Sequence, residues 1–161
     1  MYDRDSIDLL DDLLHENGHH ILNTILNTKE LIYENQLKNY YSPWRRSMRP
    51  IRGIFHGYLT FFWAFLLFTK IEKNLSHLSF SASEIEKIAL RRREEYQMLN
   101  YSFEDLELAY AKKEVTDEGI ELVREVQQII LEHEPTTSSS PLIQSLAKTL
   151  KEKRIELNKF I

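Results

Sequence analysis

Cysteine is absent from the 161-residue chain, which excludes disulfides, thiolate zinc sites and thiol nucleophiles. With no secretory signal in the acidic start Met1-Tyr2-Asp3-Arg4-Asp5, this gives the expectation of a cytoplasmic protein. An excess of basic residues is also missing: 21 Lys and Arg face 25 Asp and Glu, for a net charge of −4. That balance argues against a nucleic-acid footprint, which needs a basic domain. No apolar run reaches the ~20 residues that span a bilayer. The strongest stretch, Gly57 to Phe68, is flanked by Arg52 and His56 on one side and Lys70, Glu72 and Lys73 on the other. It reads as a buried core helix, with no membrane partner.

Glycine and proline are scarce too, four of each, and no segment sustains the two-residue alternation of a strand. What remains is helical periodicity in a chain 42% hydrophobic and 29% charged, ordinary for a globular domain. The expected fold is all-α, a single-domain bundle of about five to six helices. A first helix spans about Ser6 to Asn27, with Leu9, Leu10, Leu13, Leu14, Leu22, Ile25 and Leu26 as its apolar stripe. The pattern weakens from Lys29 to Tyr41, and Pro43 to Pro50 reads as an irregular basic loop.

A second helix, about Arg52 to Lys73, is apolar on most sides and belongs at the centre. A third starts near Ser83, with Ser83-x-x-Glu86 as a capping box; its Arg91-Arg92-Arg93-Glu94-Glu95 run reads as a solvated, ion-paired face. A fourth is expected near Ser102, and a fifth from about Thr116 to His133. Residues 1–134 then form a helical metal-binding catalytic domain, 135–140 a linker, and 141–161 a C-terminal helix, opened by Pro141 after a Ser140 cap, that packs on the same domain.

The chemistry is concentrated in His15-Glu16-Asn17-Gly18-His19, an H-E-x-x-H motif within the first helix. Residues four apart stand one turn above each other on one face, so His15 and His19 can share a metal ion. Glu16 sits beside the first ligand, as a general base for metal-bound water or as a group orienting a ligand. Chance alone would produce the motif in ~2% of shuffled chains of this composition. Two histidines facing a polar groove would share the same spacing.

A metal site needs a third protein ligand. Leu22 and Ile25 stand where a metzincin has Gly and His, which excludes that family. Glu30 and Glu34 lie too close to the first helix to fold back comfortably. His56 is the better candidate, flanked by Gly53 and Gly57, which allow close backbone approach. Just before it come Arg45, Arg46, Arg49 and Arg52, the natural bidentate partners of a carboxylate. His20 points about 100° away from His19 and reads as a surface or orienting residue. Tyr40, Tyr41 and Tyr58, and the Phe61-Phe62-Trp63-Phe65 cluster, read as core.

These elements together, LLHENGHHILN followed by PWRRSMRPIRGIFHGYLTFF, resemble the HExxH-motif domain of 2-oxoglutarate-dependent peptide β-hydroxylases, which act in ribosomally made, post-translationally modified peptide biosynthesis. The resemblance covers residues 9–68. It rests on H-E-x-x-H with Pro43-Trp44-Arg45, Arg49-Pro50 and Gly53-x-x-His56-Gly57; Ser47-Met48 stands where the family pattern has an acidic residue. It implies iron(II) held by His15, His19 and His56 and 2-oxoglutarate held by the arginines, Arg49 foremost, with Arg45, Arg46 and Arg52 as further candidates. O2 would be the oxidant and a peptide the substrate. Glu16 would then orient a ligand. The family carries a longer segment before the motif, so the expectation is a minimal or degenerate member whose substrate-binding parts are missing or supplied by a partner protein. Two other readings stay open: a zinc(II) peptidase with Glu16 as base, and a non-catalytic helical partner protein.

Overall fold

The computed structural model describes residues 6–33, 36–136 and 140–158; Met1–Asp5, Glu34, part of the expected linker and the last three residues lie outside them. Helix α2 (Ile51–Lys73) carries buried side chains on most of its circumference, among them Ile54, Phe55, Tyr58, Phe62, Phe65 and Phe68. Such a helix is stable only when other elements wrap it. Helices α1 (Ser6–Leu26), α3 (Ala82–Ala111) and α4 (Asp117–Glu132) do so. By length and apolarity α2 could cross a membrane, but most of it is buried inside the protein. The fold is the expected all-α one, with five α-helices and one two-stranded hairpin among the described residues.

Helix α1 differs from its expected stripe. Leu9, Leu10 and Leu13 are exposed, while Ile7, Asp11, Gly18 and Leu22 are buried. The four-residue steps from Ile7 to Asp11 to His15 define the face turned to the protein, and the three leucines stand on the other. Gly18 explains why a polar face packs here. A Cβ on it would lie 3.3 Å from both the Thr60 Cα and the Trp63 ring, so α1 interposes no side chain where it crosses Thr60 and Trp63 of α2.

The expected irregular loop is an ordered hairpin. Strands β1 (Tyr40–Ser42) and β2 (Ser47–Arg49) pair antiparallel, Tyr40 with Arg49 and Ser42 with Ser47. Arg46 closes the turn at φ 49°, and the Arg45 backbone N–H donates to the Ser42 hydroxyl at 3.3 Å. Strand alternation then sorts the side chains. Tyr41 and Met48 join Met98, Tyr101 and Leu150 in a satellite cluster, while Ser42 and Arg49 face a cavity. The preceding connector is extended rather than helical: Ile32 bridges Val115, and Tyr33 donates its N–H to the Glu114 carbonyl.

The expected third and fourth helices are one, α3. Its buried residues Ile88, Arg92, Glu95, Leu99, Ser102, Leu106 and Ala109 recur in steps of four and three, an unbroken helical stripe. Ser102, near which a fourth helix was expected to begin, lies inside that stripe. The capping box is at Ser81, whose hydroxyl accepts from the Glu84 N–H while the Glu84 carboxylate accepts from the Ser81 N–H. Arg92 is buried rather than solvated, donating to the Thr69 hydroxyl, the Glu72 carboxylate and the His133 carbonyl. Helix α4 begins as expected, capped by Thr116. Helix α5 (Pro141–Asn158) lies on α3, where Arg154 pairs with Asp105 and donates to the Tyr101 carbonyl.

Candidate functional site

Helix α1, the start of α2 and the hairpin enclose a cavity of about 580 Å³, within the size range of ligand pockets. His15 and His19 reach it from α1, His56 from α2, Arg45 and Arg49 from the hairpin, and Arg52 from the first turn of α2. Two predicted residues stay outside. Glu16 is exposed and does not line the cavity, and Arg46 faces solvent from the turn. Glu30, weighed as a ligand, is exposed on the connector.

The α1 pair is close. The Nε2 atoms of His15 and His19 lie 3.0 Å apart, while two imidazole nitrogens on one tetrahedral ion, each ~2.1 Å away, stand ~3.4 Å apart. The His56 ring centroid is 6.0 Å from that of His19. Among the described residues no three His, Asp or Glu side chains form a ready-made metal cluster, so a three-histidine site requires His56 to close on the pair. Two atoms are left wanting: His15 Nδ1 and His56 Nε2 are buried without a hydrogen-bond partner.

Burial and nearby cations favour the neutral form of His15 and His56. Burial, then Arg52 and His19, lowers the His56 pKa to about 4. Burial first and His19 second lower that of His15, Arg45 adding to the effect. Neutral imidazole is the form that binds metals. The donor set of three imidazoles, two with unsatisfied buried nitrogens, therefore suits a borderline divalent ion such as iron(II) or zinc(II).

The opposite wall is aromatic. Trp44 stacks on Phe61 with centroids 4.6 Å apart and planes 4° from parallel, and Phe61 lies 4.3 Å from the His15 ring. Gly57 admits the indole, since a Cβ there would meet it at 3.3 Å. The indole N–H donates to Glu95 at 2.8 Å. Burial pushes the Glu95 carboxyl up to about 8, against the opposing pull of that hydrogen bond. Glu95 thus pins a pocket wall from the core.

Sequence reading missed Lys38, Gln36, Trp44, Phe61 and Glu95 as site residues. For Glu95 a signal existed, because it falls seven residues after Ile88 and four before Leu99 on the buried stripe of α3. For Trp44 the signal was hidden once its segment was taken as irregular. No protein-family model, curated protein or solved structure matches this chain.

Proposed function

We propose that this chain is a metal-dependent enzyme that hydroxylates the β-carbon of a residue in a ribosomally made peptide, using iron(II) and 2-oxoglutarate. One observation carries the reading: three histidines and three arginines line a single cavity, and no Asp or Glu lines it among the described residues. Neutral imidazoles suit a divalent ion, and arginines beside them suit an anionic co-substrate. The zinc-peptidase alternative loses support from Glu16, whose exposed position outside the cavity keeps it from a bound water.

His15, His19 and His56 would hold the metal. Bound iron(II) would supply the site at which O2 is activated. The four electrons that reduce O2 would come two from 2-oxoglutarate, as it loses CO2 and becomes succinate, and two from the peptide Cβ–H bond. One oxygen atom would end in succinate and the other in the hydroxyl group. Arg49, which lines the same cavity, would hold the distal carboxylate of 2-oxoglutarate. Its side chain lies along Gly53, where an added Cβ would make ordinary contact with its Nε at 3.4 Å, and it lines the cavity together with the three histidines. Trp44 and Phe61 close the far side and exclude water from the His15 ring. In the chain's own setting the proposal implies a cytoplasmic enzyme with a peptide, and with a partner protein if substrate-binding parts come from elsewhere.

The test is anaerobic titration with iron(II), followed by 2-oxoglutarate, reading the visible charge-transfer absorption that a 2-oxoacid gives on iron(II). Absorption that vanishes in His56→Ala and weakens in Arg49→Ala is the expected result. Tight zinc(II) binding with no such absorption would return the peptidase. No metal binding by equilibrium dialysis would leave a helical partner protein.

A further inference from the structure

We propose that the cavity takes an acidic peptide, with Asp or Glu side chains beside the modified residue, and that Lys38 and Arg45 recognise them; this rests on the site reading above. The argument is one of surplus charge. Asp and Glu outnumber Lys and Arg in the chain as a whole, yet the cavity is lined by Lys38, Arg45, Arg49 and Arg52 and by no carboxylate among the described residues. Elsewhere cations find partners: Arg91 with Asp11, Arg92 with Glu72, Arg124 with Glu107, and Arg154 with Asp105. Lys38, Arg45 and Arg49 have no ion pair among the described residues.

A single dicarboxylate does not use this charge. With one end at a metal, 2-oxoglutarate offers the arginines one distal carboxylate, and a guanidinium satisfies a carboxylate in a bidentate pair. Arg49 suffices for that. Lys38 on the connector and Arg45 on the hairpin turn then remain in the cavity lining without an ion pair among the described residues. Cations lining a cleft with low-dielectric walls concentrate an anionic ligand within it. An extended acidic segment fits that layout. Its side chains would also meet an apolar backing, the Trp44 and Phe61 rings, for the carbon stems between the charges.

The experiment uses the full chain without metal or 2-oxoglutarate. Fluorescence anisotropy follows a short labelled peptide of alternating Glu and Ala, its Gln-for-Glu isostere, and a single-stranded oligothymidine. The expected result is salt-sensitive binding of the Glu peptide alone, weakened about tenfold in Lys38→Gln/Arg45→Gln and unchanged in Lys148→Gln, a surface residue of α5 paired with Glu152. Circular dichroism confirms that the double variant keeps its helices, both positions being exposed. Equal binding of the Glu and Gln peptides overturns the proposal, as does oligothymidine binding as tightly or an equal loss in Lys148→Gln. The two readings separate cleanly. Charge-transfer absorption with no preference for the Glu peptide sinks only this inference, whereas Glu-specific binding without that absorption sinks only the iron reading.

Discussion

At the scale of single residues, the informative ones are polar groups placed where burial alone would not put them. Glu95 is 1% exposed and holds Trp44 against the cavity. Its carboxyl binds a proton more tightly in the folded chain, at about 8, than at its ordinary 4.5, because burial penalises the charged form. The stability Glu95 contributes is therefore full below pH 4.5 and is lost as pH rises through about 8. Asp105, raised by burial to about 6, contributes a slope of the same sign that ends sooner. Urea midpoints measured between pH 6.5 and 8 isolate Glu95, and Glu95→Gln should flatten that decline while keeping an acceptor for the indole. A slope that survives the substitution would assign the decline to another group. Glu95→Leu should cost about 1–3 kcal/mol, the usual penalty for leaving the indole N–H buried and unpaired. His56 works in the opposite sense, its stability present above pH 6.5 and lost as acid takes the solution through about 4.

At the scale of elements, the site depends on how closely α1 approaches α2. Gly18 sits one position before His19 at the point of closest contact, with Thr60 and Trp63 facing it. Gly18→Leu should spread the two helices, cost about 1–3 kcal/mol by overpacking, and weaken metal binding further than the stability loss explains, because His15 and His19 would move away from His56. Comparing metal affinity with that of Ile88→Ala, a core truncation in α3 within a cluster that contains no cavity-lining residue, checks this. Equal affinities would show that the crossing does not position the ligands. The same elements show what the sequence made legible. The motif pair, His56, the central apolar α2 and the Thr116 cap all follow from local spacing, and local spacing is what a sequence displays. The hairpin does not, because three-residue strands carry too little alternation to be seen and two prolines mask them. The union of the expected third and fourth helices was hidden by Ser102, a residue that favours caps but is buried within α3. The face of α1 was misjudged because leucines outnumber the polar residues that the crossing at Gly18 turns inward.

At the scale of the molecule, charge is separated rather than balanced. A chain of net charge −4 gathers histidines, arginines and Lys38 in one cavity, with no carboxylate lining it among the described residues. Repulsion from the arginines and Lys38 opposes the arrival of a divalent ion, and a dicarboxylate relieves it. The two ligands should then bind with positive coupling, each raising the affinity for the other by the same factor. Thermal unfolding under anaerobic conditions measures this without turnover. Iron(II) alone and 2-oxoglutarate alone should each raise Tm slightly, and together they should raise it by more than the sum. A ligand pair present at about a hundredfold over its Kd stabilises by ~2.7 kcal/mol, which for a chain of this length corresponds to a rise of about 5–10 °C. Zinc(II) in place of iron should give the same excess, since the coupling is electrostatic and needs no redox chemistry. His56→Ala should remove the metal's share and Arg49→Gln the excess. If the two shifts add without excess in the native chain, the histidines and the arginines serve separate ligands and the single-cavity reading of the site fails.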